Sequence, residues 1–90
     1  MIRNFARHGV ADYAKWRKGY DEMAKFRADY GVVEDEVYQD IDDPNIVTVR
    51  LGFESAEAAL EFSESEELHA KMKDIGVIGE VKIWVALQTS

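Results

Sequence analysis

Cysteine is absent from these 90 residues, proline occurs once, and no apolar run comes near the ~20 residues that cross a bilayer as a helix. Without thiols there is no disulfide, no thiolate metal site and no cysteine nucleophile. Basic charge is scarce as well. Eleven Lys and Arg stand against 18 Asp and Glu, a net charge of −7. Such a surface repels phosphate at long range, so neither nucleic acid nor an anionic membrane is an expected partner. There is no G-x-S-x-G elbow and no glycine-rich phosphate loop, which disfavours hydrolysis through a covalent intermediate and nucleotide chemistry. The stretch MIRNFARHGVADY lacks the apolar segment of a secretory signal, and the expected location is cytoplasmic.

Length sets the next bound. Ninety residues suit one domain over 1–90. A chain this short hides only about 60 to 65% of its unfolded surface. With 47% apolar residues and no disulfide, stability gained through oligomerisation is expected. The acidic clusters at Glu34 to Glu36, Asp40 to Asp43 and Glu64 to Glu67 read as solvated surface. YQDIDDPN lacks the glycine and terminal glutamate of a calcium loop.

Periodicity then divides the chain. Alternation predicts a first strand over about Ile2 to His8. Asp12 caps a helix whose face carries Tyr13, Trp16, Tyr20, Met23, Arg27 and Tyr30 at spacings of three and four, with Gly31 as its stop. Strands over about Val32 to Asp40 and Asn45 to Phe53 flank IDDPN, which holds Pro44 and reads as a hairpin turn. Ser55 caps a second helix, interrupted at Ser63 and restarted by Ser65 with Leu68, Met72 and Ile75 as its buried stripe. Gly76 ends it, and Gly79 precedes a last strand from about Val81 to Thr89. The order is βαββαβ, an α+β ferredoxin-like pattern: a four-stranded antiparallel sheet with both helices on one face.

Each strand can be sorted into faces. Val33 and Val37, then Val47, Val49, Leu51 and Phe53, then Val81, Ile83, Val85 and Leu87 are expected under the helices. On the first strand two arginines cannot sit under a helix layer without buried counter-charges, so Asn4 and His8 take that side. The outer face then carries Arg3, Arg7, Arg50 and Lys82 against Glu34, Glu36 and Asp40, interleaved with Phe5, Tyr38 and Trp84. Balanced charge with exposed aromatics suits a partner sheet, and a homodimer packed through sheet faces is expected.

Candidate chemistry gathers near the first strand. His8 titrates near neutrality and is the candidate proton carrier, with Asp12 within reach to orient it. Asn4 is the candidate oxyanion donor and Tyr13 a further hydrogen-bond donor. Trp16 and Tyr20 are candidate walls for a flat ligand. The bland alternative makes His8 a satisfied strand-end histidine, Asn4 a partner for backbone groups, and the aromatics anchors of the first helix. His69, among charged neighbours, is expected to be exposed. Two histidines on separate elements form no metal motif, and no metal is expected.

HGVADYAKW, DDPNIVTVRLGF and SAEAALEFSESEELHAKMKDIGVIGEVKIW together resemble the small dimeric α+β barrel proteins related to antibiotic biosynthesis monooxygenases. The resemblance covers nearly the whole chain. It implies sheets paired into a dimeric barrel and a ligand between each sheet and its helices. In the haem-degrading branch an asparagine acts with a tryptophan and a histidine. Asn4 stands for the first, but Phe62 and Met72 replace the others, which argues against haem.

Two functions follow. One is a cofactor-free enzyme, monooxygenase-like or cyclase-like, acting on a small aromatic or polyketide-like molecule. The other is a non-catalytic homodimer that binds a small molecule or serves as an accessory protein.

Overall fold

The computed structural model describes residues 1–90. Its elements run β1 (Ile2–Val10), α1 (Tyr13–Glu22), α2 (Ala24–Asp29), β2 (Val32–Gln39), β3 (Ile46–Phe53), α3 (Ala56–Glu64), α4 (Glu66–Asp74) and β4 (Val77–Leu87). The strands form one antiparallel sheet in the order β2-β3-β1-β4, so β1 lies inside the sheet. This is the expected α+β ferredoxin-like architecture, with each helical connection broken in two.

The first break is at Met23, which ends α1 and begins α2 at φ −92° and ψ 11°. One helix from Asp12 to Gly31 was expected. Instead the Tyr20 carbonyl receives the Met23 N–H and the Arg27 guanidinium, and a side chain inserted at a helix carbonyl is a recognised cause of such a break. The second break is the expected one. Ser65 accepts the Leu68 N–H and bonds the Tyr30 hydroxyl, tying α4 to the end of α2. Asp12 and Ser55 cap α1 and α3 as expected.

The core lies between sheet and helices. Trp16 and Tyr20 from α1, Ala59 and Phe62 from α3, and Leu68 and Met72 from α4 pack on Val47, Val49, Leu51 and Phe53 of β3. Phe26, Tyr30, Phe53 and Phe62 add a cluster of tilted and edge-on rings at one end.

Two irregularities correct the expected faces. The β2–β3 register shifts between Val32 and Glu34. Val32 therefore packs on the core while Val33 is 52% exposed. Strand β4 starts at Val77, not Val81, so Gly79 lies inside it. Arg7 pairs with Lys82 and Gly9 with Ile78, leaving Gly79, Glu80 and Val81 opposite His8 alone. Gly79 sits at φ +72°, a conformation glycine adopts without penalty in a bulge. Leu87, expected under the helices, is exposed at the strand end.

The outer face follows the expected pairing. Arg3 meets Glu34 and Arg7 meets Asp40, each at 3.3 Å, while Arg50 pairs with Glu36. Phe5 stacks on Trp84 at 5.2 Å. Backbone N–H donation from Asp42, together with the Arg7 guanidinium, holds the Asp40 carboxyl below its usual range.

Candidate functional site

Strand β1 presents Asn4, Ala6 and His8 to the helix layer. Ala6 is small, so a hollow remains above it. The cavity has a volume of about 50 Å³ and is lined by hydrophobic side chains except for Asn4, His8 and Arg27. Trp16 and Tyr20 from α1, Met23 at the helix break, Phe62 from α3 and Met72 from α4 form much of the wall.

His8 is 4% exposed. Its Nδ1 lies 3.2 Å from the Gly9 carbonyl, and a carbonyl only accepts, so the proton belongs on Nδ1. Burial lowers the His8 pKa below 6.5, and the hydrogen bond to Gly9 opposes that only in part. The ring is therefore neutral at pH 7, with the Nε2 lone pair uncommitted to any protein donor. Trp16 meets it edge-on at 5.8 Å between centroids. His8 also borders an open cleft of about 620 Å³ beside the β4 bulge, and no other residue lines both spaces. Its ring lies on the helix side, against Trp16.

Asn4, 2% exposed, donates through Nδ2 to Ser63 Oγ. The Ser63 hydroxyl in turn donates to the Ala59 carbonyl at 2.8 Å, which requires Oγ to accept from the amide and so fixes the amide orientation. Asn4 keeps one N–H and its Oδ1 free of protein partners. Tyr20 stacks on Trp16 at 5.1 Å and donates its hydroxyl to Asp35 at 2.7 Å. Burial first, and the Asp35 bond second, push its phenol far upward, so it stays protonated.

Four of the six expected site residues thus meet at one cavity: Asn4, His8, Trp16 and Tyr20. Tyr13 is half-buried against Trp16 and does not line it. Asp12 is exposed and accepts the Lys15 N–H; it does not bond His8, whose ring turns to Gly9 instead. His69 is exposed as expected and bonds the Ser63 carbonyl. Arg27, Ser63 and Asp35 were missed. Arg27 stood in the apolar stripe of the first helix, and a cation on a buried face was the available signal. Asp35 shares its strand face with Val37 through the period of two, which placed it within reach of the helices.

No family model matches the chain, and no curated protein matches it in sequence. Solved structures do match its backbone. An antibiotic biosynthesis monooxygenase superposes with a TM-score of 0.73 at 12% identity over 100% of both chains. SnoaB, a cofactor-independent oxygenase from Streptomyces nogalater, gives 0.71 at 18% identity over 98% of this chain and 94% of that one. The fold is that of the antibiotic biosynthesis monooxygenases. Rv0793 from Mycobacterium tuberculosis shares this monooxygenase fold, with a TM-score of 0.71 at 18% identity over 99% of this chain and 95% of that one. In the monooxygenase fold as built here, β1 supplies both polar cavity residues of the sheet, and the bulge in β4 lies against one of them.

Proposed function

We propose that the chain is a cofactor-free enzyme, monooxygenase-like or cyclase-like, acting on a small aromatic or polyketide-like molecule between the sheet and its helices. One observation carries this: a buried, neutral His8 that lines an apolar cavity and whose Nε2 has no protein partner. Such a base removes a proton from a phenol or an activated C–H, and the resulting anion is electron-rich enough to meet oxygen or close a ring. Asn4 offers its remaining N–H to the oxygen that gathers charge. Trp16 and Tyr20 favour a flat ligand. That SnoaB is a cofactor-independent oxygenase on the same fold agrees with this chemistry.

Asn4 and His8 lie four residues apart on one strand, about 13 Å between their Cα atoms at strand rise. A ligand touching both has two or three fused rings. The cavity of about 50 Å³ is well below the roughly 300–1,000 Å³ of usual ligand sites, so binding a ligand of that size requires side chains of the wall to move. The same tightness, with Asn4 already bonded to Ser63, favours the second reading, a non-catalytic binding or accessory protein.

An NMR titration of the His8 ring, in the wild type and in Asn4→Ala, with and without a panel of phenols, separates the two. The enzyme reading expects a midpoint below 6.5 that moves again when a phenol binds. A midpoint at the reference value that ignores every compound sinks it.

We also propose that the outer sheet face packs on a second copy of the chain. Tyr38 and Trp84 stand half-exposed there among paired charges. Sedimentation velocity is expected to give a dimer for the wild type and a monomer for Trp84→Glu. A wild-type monomer at high concentration removes the proposal.

A further inference from the structure

We propose that the ligand of this cavity carries a carboxylate, held by the guanidinium of Arg27; the proposal rests on the reading of the cavity as a ligand site. Arg27 is 7% exposed and lines the cavity. Its Nη1 donates to the Tyr20 carbonyl at 2.6 Å, and its Cζ lies over the Tyr20 ring, 3.7 Å from the centroid. Those contacts finish α1 and fix the group in place, but neither neutralises it. No carboxylate oxygen lies within salt-bridge distance. The contrast with the rest of the chain is sharp. Arg3, Arg7, Arg17 and Arg50 each pair with an Asp or Glu, and Arg27, the most buried of the five, does not. Asp35, which approaches the same ring, is taken up by the Tyr20 hydroxyl.

A buried cation without a counter-charge is costly, and an anion that enters beside it recovers that cost. The shape of the vacancy selects the anion. With Nη1 committed to Tyr20, the guanidinium edge left without a protein acceptor is Nε–H with Nη2–H. Neither nitrogen is sealed away, since the one enclosed unpartnered side-chain atom in the chain is Arg50 Nε. Two parallel N–H groups on a rigid fork match the two oxygens of a carboxylate, whereas a phenolate offers one. The surrounding wall of Trp16, Tyr20, Met23 and Met72 suits a flat apolar body, and the methionines are the side chains best able to yield to it.

The test uses benzoate, its neutral isostere benzamide, and phenol, titrated into the full chain by calorimetry and by NMR at constant ionic strength. Benzoate is expected to bind about tenfold or more tighter than benzamide, the usual worth of hydrogen bonds to a charged group. Arg27→Met is expected to abolish that preference and Arg27→Lys to keep part of it. Because Arg27 also finishes α1, each variant is first checked for cooperative unfolding. Should Arg27→Met fail to fold, the wild-type ratio and Arg27→Lys decide. Equal binding of benzoate and benzamide overturns the carboxylate and leaves the cavity as a ligand site. Phenol binding tighter than benzoate overturns it in favour of a phenolate. No binding of any of the three, with the His8 resonance unmoved, overturns both readings together.

Discussion

Replacing His8 by glutamine is expected to cut turnover by about 10²- to 10⁴-fold, the usual worth of a positioned proton carrier, and to leave the fold in place. Glutamine fills similar space and can still donate to the Gly9 carbonyl, so the bond that orients the ring is retained in kind. What it lacks is a basic nitrogen. The pH dependence separates this chemistry from a structural effect. In the wild type the working form is neutral, and burial places its midpoint below 6.5, so the rate is full above neutrality and falls as acid protonates Nε2. The residual rate of His8→Gln is expected to be flat across that range. Stability follows the same sign. The unfolded histidine binds a proton near 6.5 while the folded one resists it until a lower pH. The contribution is therefore complete above 6.5 and is lost as pH falls through the folded midpoint. Urea melts at pH 7.5 and pH 5 are expected to differ more for the wild type than for His8→Gln. Unchanged turnover in the variant, or a rate that rises with acid, would end the assignment of His8 as base.

Trp16→Ala is expected to cost about 3–5 kcal/mol, the range for truncating a large buried aromatic. Trp16 is 2% exposed and packs against His8, Tyr13 and Tyr20 at once. Domains are stable by roughly 5–15 kcal/mol, and short chains have the least core to spare. The variant is therefore expected to be largely unfolded or molten near room temperature. Trp16→Phe, which keeps a ring in the gap, is expected to lose far less. Urea midpoints of the three proteins measure the difference, and a Trp16→Ala midpoint equal to the wild type would show that the indole does not anchor α1 to the sheet.

Much of this architecture was legible because its signals are local. Asp12, Ser55 and Ser65 cap helices through hydrogen bonds within three residues, and the caps stand where expected. The faces of β1 and β3 could be sorted because burying several arginines under the helices is costly, and Arg3, Arg7 and Arg50 do find carboxylates on the outer face. The misplacements came from register. A shift between Val32 and Glu34 turns Val33 outward, and the bulge at Gly79 lengthens β4 toward its start. Each bulge breaks the alternation of faces, but the residue pattern of the strand does not announce it; it shows only in the pairing with a neighbour. At the site, Asn4 and His8 were visible as polar residues on an apolar face. Ser63 and Arg27 were not assigned to it, because one meets Asn4 across 59 residues and the other arrives through a helix break.

The place of β1 in the sheet also governs when the site comes into being. Both β1 neighbours, β3 and β4, lie later in the chain. On a ribosome adding about 5–20 residues per second, β1 waits roughly 4 to 15 s for β4 to be made. During that interval one flank of its hydrogen-bonding ladder is bare, and the cavity of Asn4 and His8 lacks the Ile83 wall that β4 supplies. Of these four strands, the one first in chain order thus waits for the last to gain its second neighbour. The nascent chain carries an unpaired edge, the kind that recruits foreign strands, until its closing segment arrives.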